Sequence, residues 1–176
     1  TAKNSMEHFY NSNHRTINSI YTSHELLLLD YEQVFLKCHT QDRLTYNCSA
    51  HMLWVGDRTR HIEGAHIEFA SQIHNPIGLK IGPTICINDF ANLCIKLNPN
   101  NQIGRLVLIM RLGLDYIDKL LIQIIKIIKK NNLNVIWMCD PMHGNTITTK
   151  YGHKTRNFNT IQLELKQFFK ICIQEN

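Results

Sequence analysis

The sequence predicts an α/β fold in which short apolar strands alternate with helices. Five times a short run rich in Ile, Val, Leu, Trp or Tyr stops at polar residues able to do chemistry, and most of these stops precede a stretch with helical spacing. Repeated strand and helix units are typical of parallel strands joined by right-handed crossovers. A doubly wound sheet and a (β/α)8 TIM barrel both satisfy this pattern.

Two further observations favour the barrel. A dinucleotide-binding sheet would carry a glycine-rich turn after its first strand, and the sequence has none there. In a barrel, catalytic residues come from the carboxyl ends of several strands, which is where this chain places its polar residues. Because a complete barrel takes about 250 residues, we predict a partial barrel of about five parallel strands with intervening helices in these 176 residues.

Five segments have the composition of strands. The first ends at His24 and Glu25, and Gly56 permits a sharp turn directly after the second. The fourth is almost continuously apolar, as expected for a strand that is buried on both faces of a sheet. The predicted strands are residues 17–22, 52–55, 77–81, 106–110 and 135–138.

Helical spacing of apolar residues follows most of these strands. Pro76 ends the first helix, and Asn88 is a candidate N-cap for the second. Residues 26–37 fit either a helix or an extended segment, and residues 1–16, which show little periodicity, form a helix remnant or a loose lead-in. The predicted helices are residues 63–74, 88–97, 114–130 and 160–172.

The composition, with 44% hydrophobic and 19% charged residues, is that of an ordinary globular protein. The formal net charge of +5 favours anionic partners. We expect no nucleic-acid partner, because the chain lacks a basic stripe interleaved with aromatic residues. We also expect no membrane partner, because the longest apolar stretch, residues 120–128, is interrupted and far shorter than the ~20 residues of a membrane span.

The six cysteines show no CxxC pairing, which indicates a reducing compartment rather than a disulfide framework. The chain begins at Thr1 rather than at a Met, so we expect it to be a piece of a longer product.

Three cations stand at the ends of separate strands. Lys80 lies inside an apolar strand, which is unfavourable for an ammonium unless an anion or a carboxylate meets it; the competing interpretation is a lysine that extends to solvent. Arg111 closes the most apolar strand, and its rigid fork suits a carboxylate or a phosphate. With Arg58 after the second strand, the three cations would bind a small, multiply charged anion such as a phosphorylated carboxylic acid.

Three more polar residues at strand ends are candidates. His143 lies between Pro141 and Gly144 just past the fifth strand, where it is either a structural histidine or a group for metal binding or acid–base chemistry. Glu25 is a candidate base or water-positioning group, and the alternative is a carboxylate that simply pairs with an arginine. Asp57, beside Arg58, has the same two interpretations.

Five sequence words in this order resemble those of one family. They are residues 22–25 (TSHE), 49–60 (SAHMLWVGDRTR), 75–83 (NPIGLKIGP), 139–146 (CDPMHGNT) and 154–156 (KTR). On these words the chain closely resembles the class II, plant and microbial, 3-deoxy-D-arabino-heptulosonate 7-phosphate (DAHP) synthases. The resemblance extends from about residue 17 to the C-terminus, so residues 17–176 would be the central to C-terminal part of the barrel domain.

The resemblance implies an enzyme that condenses phosphoenolpyruvate with erythrose 4-phosphate on a divalent metal, Mn²⁺ or Co²⁺, as the first step of the shikimate pathway. Arg58, Lys80 and Arg111 would bind phosphoenolpyruvate together with Asp57, which stands where the family usually has Glu. The metal would polarise the aldehyde of erythrose 4-phosphate.

The family pattern also implies roles for the remaining candidates. His143 would be a metal ligand, and Glu25 would lie beside the reacting centre, so the implied catalytic residues are Glu25, Lys80 and His143. Lys154 and Arg156 would be further anion contacts. The family is usually homo-oligomeric and occurs in bacterial cytoplasm and in plastids, so we expect one of those two locations.

Several family parts have no counterpart in these 176 residues, and of four expected metal ligands only His143 is present. The alternative interpretation is therefore an inactive fragment or remnant of such an enzyme with only anion-binding capacity. A third interpretation, another barrel enzyme acting on a phosphorylated sugar acid, requires the family words to be coincidental.

Overall fold

The computed structural model describes residues 20–41 and 43–175. Its centre is a sheet of five strands, each parallel to its neighbours, in the order β1, β4, β5, β6, β7. This is the α/β fold with five parallel strands that the sequence predicts. The five strands are β1 (Ser23–Glu25), β4 (Met52–Val55), β5 (Ile77–Ile81), β6 (Leu106–Met110) and β7 (Ile136–Cys139).

Within the described residues, five helices accompany the sheet. The four that the sequence predicted begin and end within a few residues of the predicted limits, because apolar spacing defines a helix better than it defines its ends. The region from residue 26 to 37, which the sequence left ambiguous, forms a short helix and then a strand. The helices are α1 (Leu29–Gln33), α2 (Ala65–Gln72), α3 (Phe90–Leu97), α4 (Ile117–Lys130) and α5 (Phe158–Gln174).

Two antiparallel hairpins, which the sequence analysis did not predict, flank the sheet. Strands β2 (Leu36–Cys38) and β3 (Thr45–Asn47) form the first, and β8 (Thr146–Thr148) and β9 (Lys154–Arg156) form the second. Each strand has three residues, which is too short for a periodic signal in the sequence.

Three local predictions were wrong or fall outside the described residues. Asn88 does not cap α3. Asp89 occupies the N-cap position, and no side chain makes a capping hydrogen bond there. The first strand lies at Ser23–Glu25, so Ile20, Tyr21 and Thr22 precede it. Residues 17–19 of that predicted strand and the predicted lead-in, residues 1–16, lie outside the described part of the chain.

One face of the sheet is covered by the helices. Alternate strand residues such as Leu53, Leu79, Leu108 and Met110 are fully buried in one apolar cluster with residues of α2, α3, α4 and α5. Val107, on the opposite face of β6, lies outside that cluster.

Helices on one face are typical of a barrel, whose outer ring covers the outside of the sheet, whereas a doubly wound sheet has helices on both faces. Each strand also neighbours the next parallel strand along the chain, so the strand order does not reverse within the described residues. Both features are consistent with part of a (β/α)8 barrel. None of the described helices combines the length and the apolar character that crossing a membrane requires.

Candidate active site

The polar residues meet at the carboxyl edge of the sheet because the strands are parallel and in register. Ile81, Met110 and Cys139 are aligned across β5, β6 and β7, so the residues that follow them emerge side by side. Backbone hydrogen bonds continue one step past the strands, from Arg111 N to Ile81 O (2.9 Å) and from Asp140 N to Met110 O (2.7 Å). The edge is therefore held by the sheet itself.

The candidate residues also share a face. Side chains of a strand alternate between the two faces of a sheet, and the register places Glu25, Trp54 and Lys80 on the face opposite the helices. Arg111 and Asp140 continue the same alternation along β6 and β7. In a barrel this face is the interior, and the active site lies at its carboxyl-terminal end.

Asp57 is the centre of one group of charges. Its Oδ2 accepts a hydrogen bond from Arg111 Nη1 at 2.5 Å, and its Oδ1 accepts one from Gly82 N at 2.8 Å. Arg60 Nη2 lies 3.1 Å from the same Oδ1. The carboxylate of this Asp, although one methylene shorter than the Glu of the family pattern, thus reaches two cations and a backbone donor.

Two glycines leave room for the carboxylates. A Cβ added at Gly82 would lie 2.6 Å from Oδ2 of Asp57, and one added at Gly56 would lie 2.2 Å from Oε1 of Glu25. Both distances are below van der Waals contact, so an alanine at either position would displace a charged side chain. The sequence analysis assigned Gly56 only to a turn, whereas its lack of a side chain also accommodates Glu25.

Lys80, Asp140 and His143 form a second group. Lys80 Nζ donates to Oδ2 of Asp140, and its ammonium lies 5.9 Å from the centroid of the Trp54 ring. His143 Nδ1 lies 2.8 Å from the same Oδ2. Burial raises the pKa of Asp140, but the hydrogen bonds from Lys80 and His143 outweigh that effect and leave the pKa below its ordinary value. From its place in an apolar strand, Lys80 was expected to meet a carboxylate or an anion, and Asp140 is that carboxylate.

The two groups are connected through Arg111. Its Nη1 contacts Asp57, and its Nη2 donates to the backbone carbonyl of His143 at 3.2 Å. The imidazole of His143 is 61% exposed, and its Nε2 makes no hydrogen bond with any residue that the structure describes.

The remaining predicted residues lie outside these two groups. The side chain of Arg58 is exposed and makes no polar contact with the described part of the chain, and the same holds for the side chain of Lys154 on β9. The side chain of Glu25 is partly buried at the end of β1 and forms no hydrogen bond or ion pair within residues 20–41 and 43–175. Arg156 Nε donates to the carbonyl of Met142 at 2.8 Å, so it supports the segment that carries His143.

The donor set does not fit a complete metal site. No group of three or more His, Cys, Asp or Glu side chains among the described residues is arranged to hold a metal ion. His143 Nδ1 is bonded to Asp140, an arrangement that in metal sites orients a histidine whose Nε2 is the ligand. Cys139, which precedes Asp140, packs against the apolar cluster on the helix-covered face of the sheet, where burial raises the pKa of its thiol to about 12.

Sequence reasoning missed two contributors. Arg60 received no role from the sequence, and the structure pairs it with Asp57. Glu164, in the middle of α5, was not considered, although it is fully buried and bonds to the backbone of Gly113. The available signal was its spacing, since Glu164, Phe168 and Ile171 fall on one helical face and the other two are core residues.

Comparisons with known proteins support the family resemblance seen in the sequence. A family model described as the class-II DAHP synthetase family matches residues 3–176. The chain is 44% identical over 155 residues to a probable phospho-2-dehydro-3-deoxyheptonate aldolase, chloroplastic, of Catharanthus roseus, covering 88% of this chain and 31% of that protein.

Two bacterial relatives are comparably similar. A phospho-2-dehydro-3-deoxyheptonate aldolase of Streptomyces coelicolor is 42% identical over 151 residues, covering 86% of this chain and 34% of the relative. The corresponding aldolase AroG of Mycolicibacterium smegmatis is 43% identical over 157 residues with the same two coverages, 86% and 34%. The chain thus spans about a third of the length of the curated relatives it matches.

Proposed function

Because the chain belongs to the class-II DAHP synthetase family, we propose that it carries part of the active site for condensing phosphoenolpyruvate with erythrose 4-phosphate. The products are 3-deoxy-D-arabino-heptulosonate 7-phosphate and phosphate, and the reaction is the first step of the shikimate pathway. One observation supports this proposal more than any other. Lys80 and Arg111 project from adjacent, buried strands at one edge, each oriented by a carboxylate.

Phosphoenolpyruvate would bind through its phosphate and carboxylate groups. Lys80 and Arg111 are already held by Asp140 and Asp57, so little side-chain freedom is lost when the anion arrives. Arg58 is exposed and makes no polar contact with the described residues, so it can turn to the anion without breaking a bond. The planar guanidinium groups suit a bidentate contact with either anionic group.

In the reaction, C3 of the bound phosphoenolpyruvate forms a bond with the aldehyde carbon of erythrose 4-phosphate. Water then adds at C2, and the C2–O bond to the phosphate breaks. The cations would orient the bound phosphoenolpyruvate so that its C3 faces the aldehyde, and they would disfavour other orientations. We assign to Glu25, which lies beside Gly56 at the neighbouring strand end, the role of orienting the water or taking its proton.

We further propose His143 as one ligand of a Mn²⁺ or Co²⁺ ion, through Nε2. The described residues offer no complete ligand set, so no step is assigned to the metal. Lys154 and Arg156 remain proposed as anion contacts on or beside β9.

Calorimetric titration of the 176-residue chain with phosphoenolpyruvate tests the proposal. We expect Lys80→Ala and Arg111→Ala each to weaken binding by about tenfold or more, because a hydrogen bond to a charged group contributes roughly 1.5–3 kcal/mol. The matched control is Lys126→Ala, which removes the same charge from the exposed side of α4 and should leave binding unchanged. Equal binding by all variants would contradict the proposal.

A second candidate is a non-catalytic fragment or remnant that only binds anions. It is favoured by one observation, the absence of a metal-binding group of three His, Cys, Asp or Glu side chains among the described residues. Release of phosphate from the two substrates, assayed with Mn²⁺ or Co²⁺, separates the candidates. The assay should be run on this chain and on any longer product of the same gene, and binding without turnover in both would support the remnant.

Two further properties follow the family by analogy. We propose a homo-oligomeric assembly in the cytoplasm or in a plastid. The second location rests on the Catharanthus roseus relative, whose name includes the word chloroplastic. Imaging of a fluorescent fusion of the complete gene product would decide between the two compartments.

A further inference from the structure

A fully buried carboxylate on α5 contacts both segments that carry the candidate site. Glu164 has 0% exposure, and its Oε1 accepts a hydrogen bond from Gly113 N at 3.0 Å. Its Oε2 accepts one from the side-chain amide of Asn145. Gly113 belongs to the segment after β6, which begins at Arg111, and Asn145 belongs to the segment after β7, which includes His143.

These two segments, residues 111–116 (the β6 loop) and 140–145 (the β7 loop), are in direct contact. A Cβ added at Gly144 would lie 2.4 Å from Gly113 N, so the two backbones touch at a point where only glycine fits. Asn145 bonds both loops, since its Oδ1 accepts from Leu114 N at 3.2 Å and its Nδ2 donates to Pro141 O at 2.8 Å. Glu164 adds a carboxylate that accepts a hydrogen bond from each loop and lies in neither of them.

A purely structural explanation of Glu164 is unsatisfactory. The residue shares its helix face with Phe168 and Ile171, where an apolar side chain would fill the space without the cost of burying a carboxylate. Both of its oxygens are directed at the β6 and β7 loops. Within the described residues it makes no ion pair, so its compensation comes from those two donors.

We propose that Glu164 is a positioning residue, which holds the β6 and β7 loops together and so determines where Arg111 and His143 lie relative to each other. By holding the two loops together, Glu164 would preserve the 3.2 Å hydrogen bond from Arg111 Nη2 to the carbonyl of His143. The proposal rests on the proposed function in one respect, because it concerns residues assigned there to phosphoenolpyruvate and to the metal.

Three variants test the proposal. Glu164→Ala removes both acceptors, and Glu164→Gln keeps the shape but turns an NH2 group towards either Gly113 N or the amide of Asn145. The control is Phe168→Leu, which loosens the same buried helix face without removing an acceptor. Each variant is compared with the unchanged chain by urea unfolding, by amide hydrogen exchange at Leu114, by the NMR signal of Arg111 Nε–H, and by phosphoenolpyruvate titration. Leu114 is informative because its N–H bonds to Asn145 rather than to Glu164.

We expect Glu164→Ala to speed exchange at Leu114 by about tenfold, to shift the Arg111 signal, and to weaken phosphoenolpyruvate binding by about tenfold, since two hydrogen bonds to a charged group are lost. For the exchange rate, the Arg111 signal and the binding constant, Glu164→Gln should give values between those of Glu164→Ala and those of the unchanged chain. Phe168→Leu should lower the unfolding free energy while leaving the Arg111 signal and the binding constant unchanged.

Two outcomes would overturn the proposal. One is a Glu164→Ala variant that differs from Phe168→Leu in none of the local measurements, and the other is a Glu164→Gln variant identical to the unchanged chain. If the unchanged chain binds no phosphoenolpyruvate, the proposed function fails, and the exchange rate and the Arg111 signal still decide whether Glu164 positions the loops.

Discussion

Lys80 and Arg111 each pair with a carboxylate that follows the next strand but one in the sheet. Asp57 pairs with Arg111, and Asp140 pairs with Lys80, and all four side chains are less than a third exposed. Removing one member of a partly buried pair leaves the other without compensation, which costs more than the pair itself contributes. The carboxylates therefore keep the two cations in place before any anion binds.

Replacement of Asp57 by Asn tests this dependence. The amide can still accept a hydrogen bond from Gly82 N, but it loses the charge that faces Arg111 and Arg60. We expect Asp57→Asn to lower the unfolding free energy by about 2 kcal/mol, the size of a hydrogen bond to a charged group. Urea unfolding monitored by circular dichroism measures this change in the unfolding free energy.

The control is Asp115→Asn, which makes the same change at an exposed position that has no polar contact with the described residues. Its effect should stay within about 0.5 kcal/mol, as for most surface substitutions. A similar loss from both variants would mean that the ion pair contributes nothing beyond a general charge effect.

At the level of elements, two asparagines near helix starts, Asn157 and Asn88, look alike in the sequence, but only Asn157 caps its helix. Asn157 caps α5, because its Oδ1 accepts from Asn159 N at 2.9 Å and from Thr160 N at 3.2 Å. Asn88 stands near the start of α3 but is exposed, and Asp89 occupies the cap position. Capping requires the correct backbone geometry as well as the correct residue type.

The two asparagines therefore predict a contrast in stability. Asn157→Ala should lower the unfolding free energy by about 1 kcal/mol, the typical contribution of an N-cap side chain. Asn88→Ala should change it by less than about 0.5 kcal/mol. Thermal or urea unfolding of both variants decides the point, and a larger loss at Asn88 would show that α3 begins earlier than described.

For the whole molecule, the decisive feature is that the helices cover one face of the sheet and the candidate site occupies the other. The apolar cluster joins the fully buried strand residues Leu79 and Leu108 to α5 through Phe168 and Ile171. The helix that closes the core thus also carries Glu164, which contacts the site loops. Stability and site geometry consequently depend on the same helix.

Two adjacent phenylalanines test how α5 packs on the rest of the molecule. Phe168 is 3% exposed and Phe169 is 56% exposed. We expect Phe168→Ala to lower the unfolding free energy by about 3–5 kcal/mol, because it leaves a cavity in the core. Phe169→Ala should remove only an edge-to-face ring contact worth about 1 kcal/mol. Equal losses in urea unfolding would mean that α5 is turned differently on the sheet.

Much of the fold followed from the sequence because the signals are local. Strands β5 and β6 were predicted with their correct bounds, because each is a short, mainly apolar run between residues that interrupt it, Pro76 and Gly82 for β5 and Arg105 and Arg111 for β6. The hairpins were not predicted, because three-residue strands such as Thr45–Asn47 have no period to detect. The N-cap of α3 was misplaced because residue type alone does not fix backbone geometry.

The sequence by itself determined the ends of β4, β5 and β6, the residue types at the strand ends and, through the family words, the chemistry proposed for Lys80, Arg111 and His143. Only the tertiary structure decided which charges pair, because Asp57 and Arg111 are 54 residues apart, and Lys80 and Asp140 are 60 residues apart, and such pairs meet only through the register of parallel strands. It also placed Glu164 against both site loops, a contact that depends on how α5 docks rather than on any local pattern.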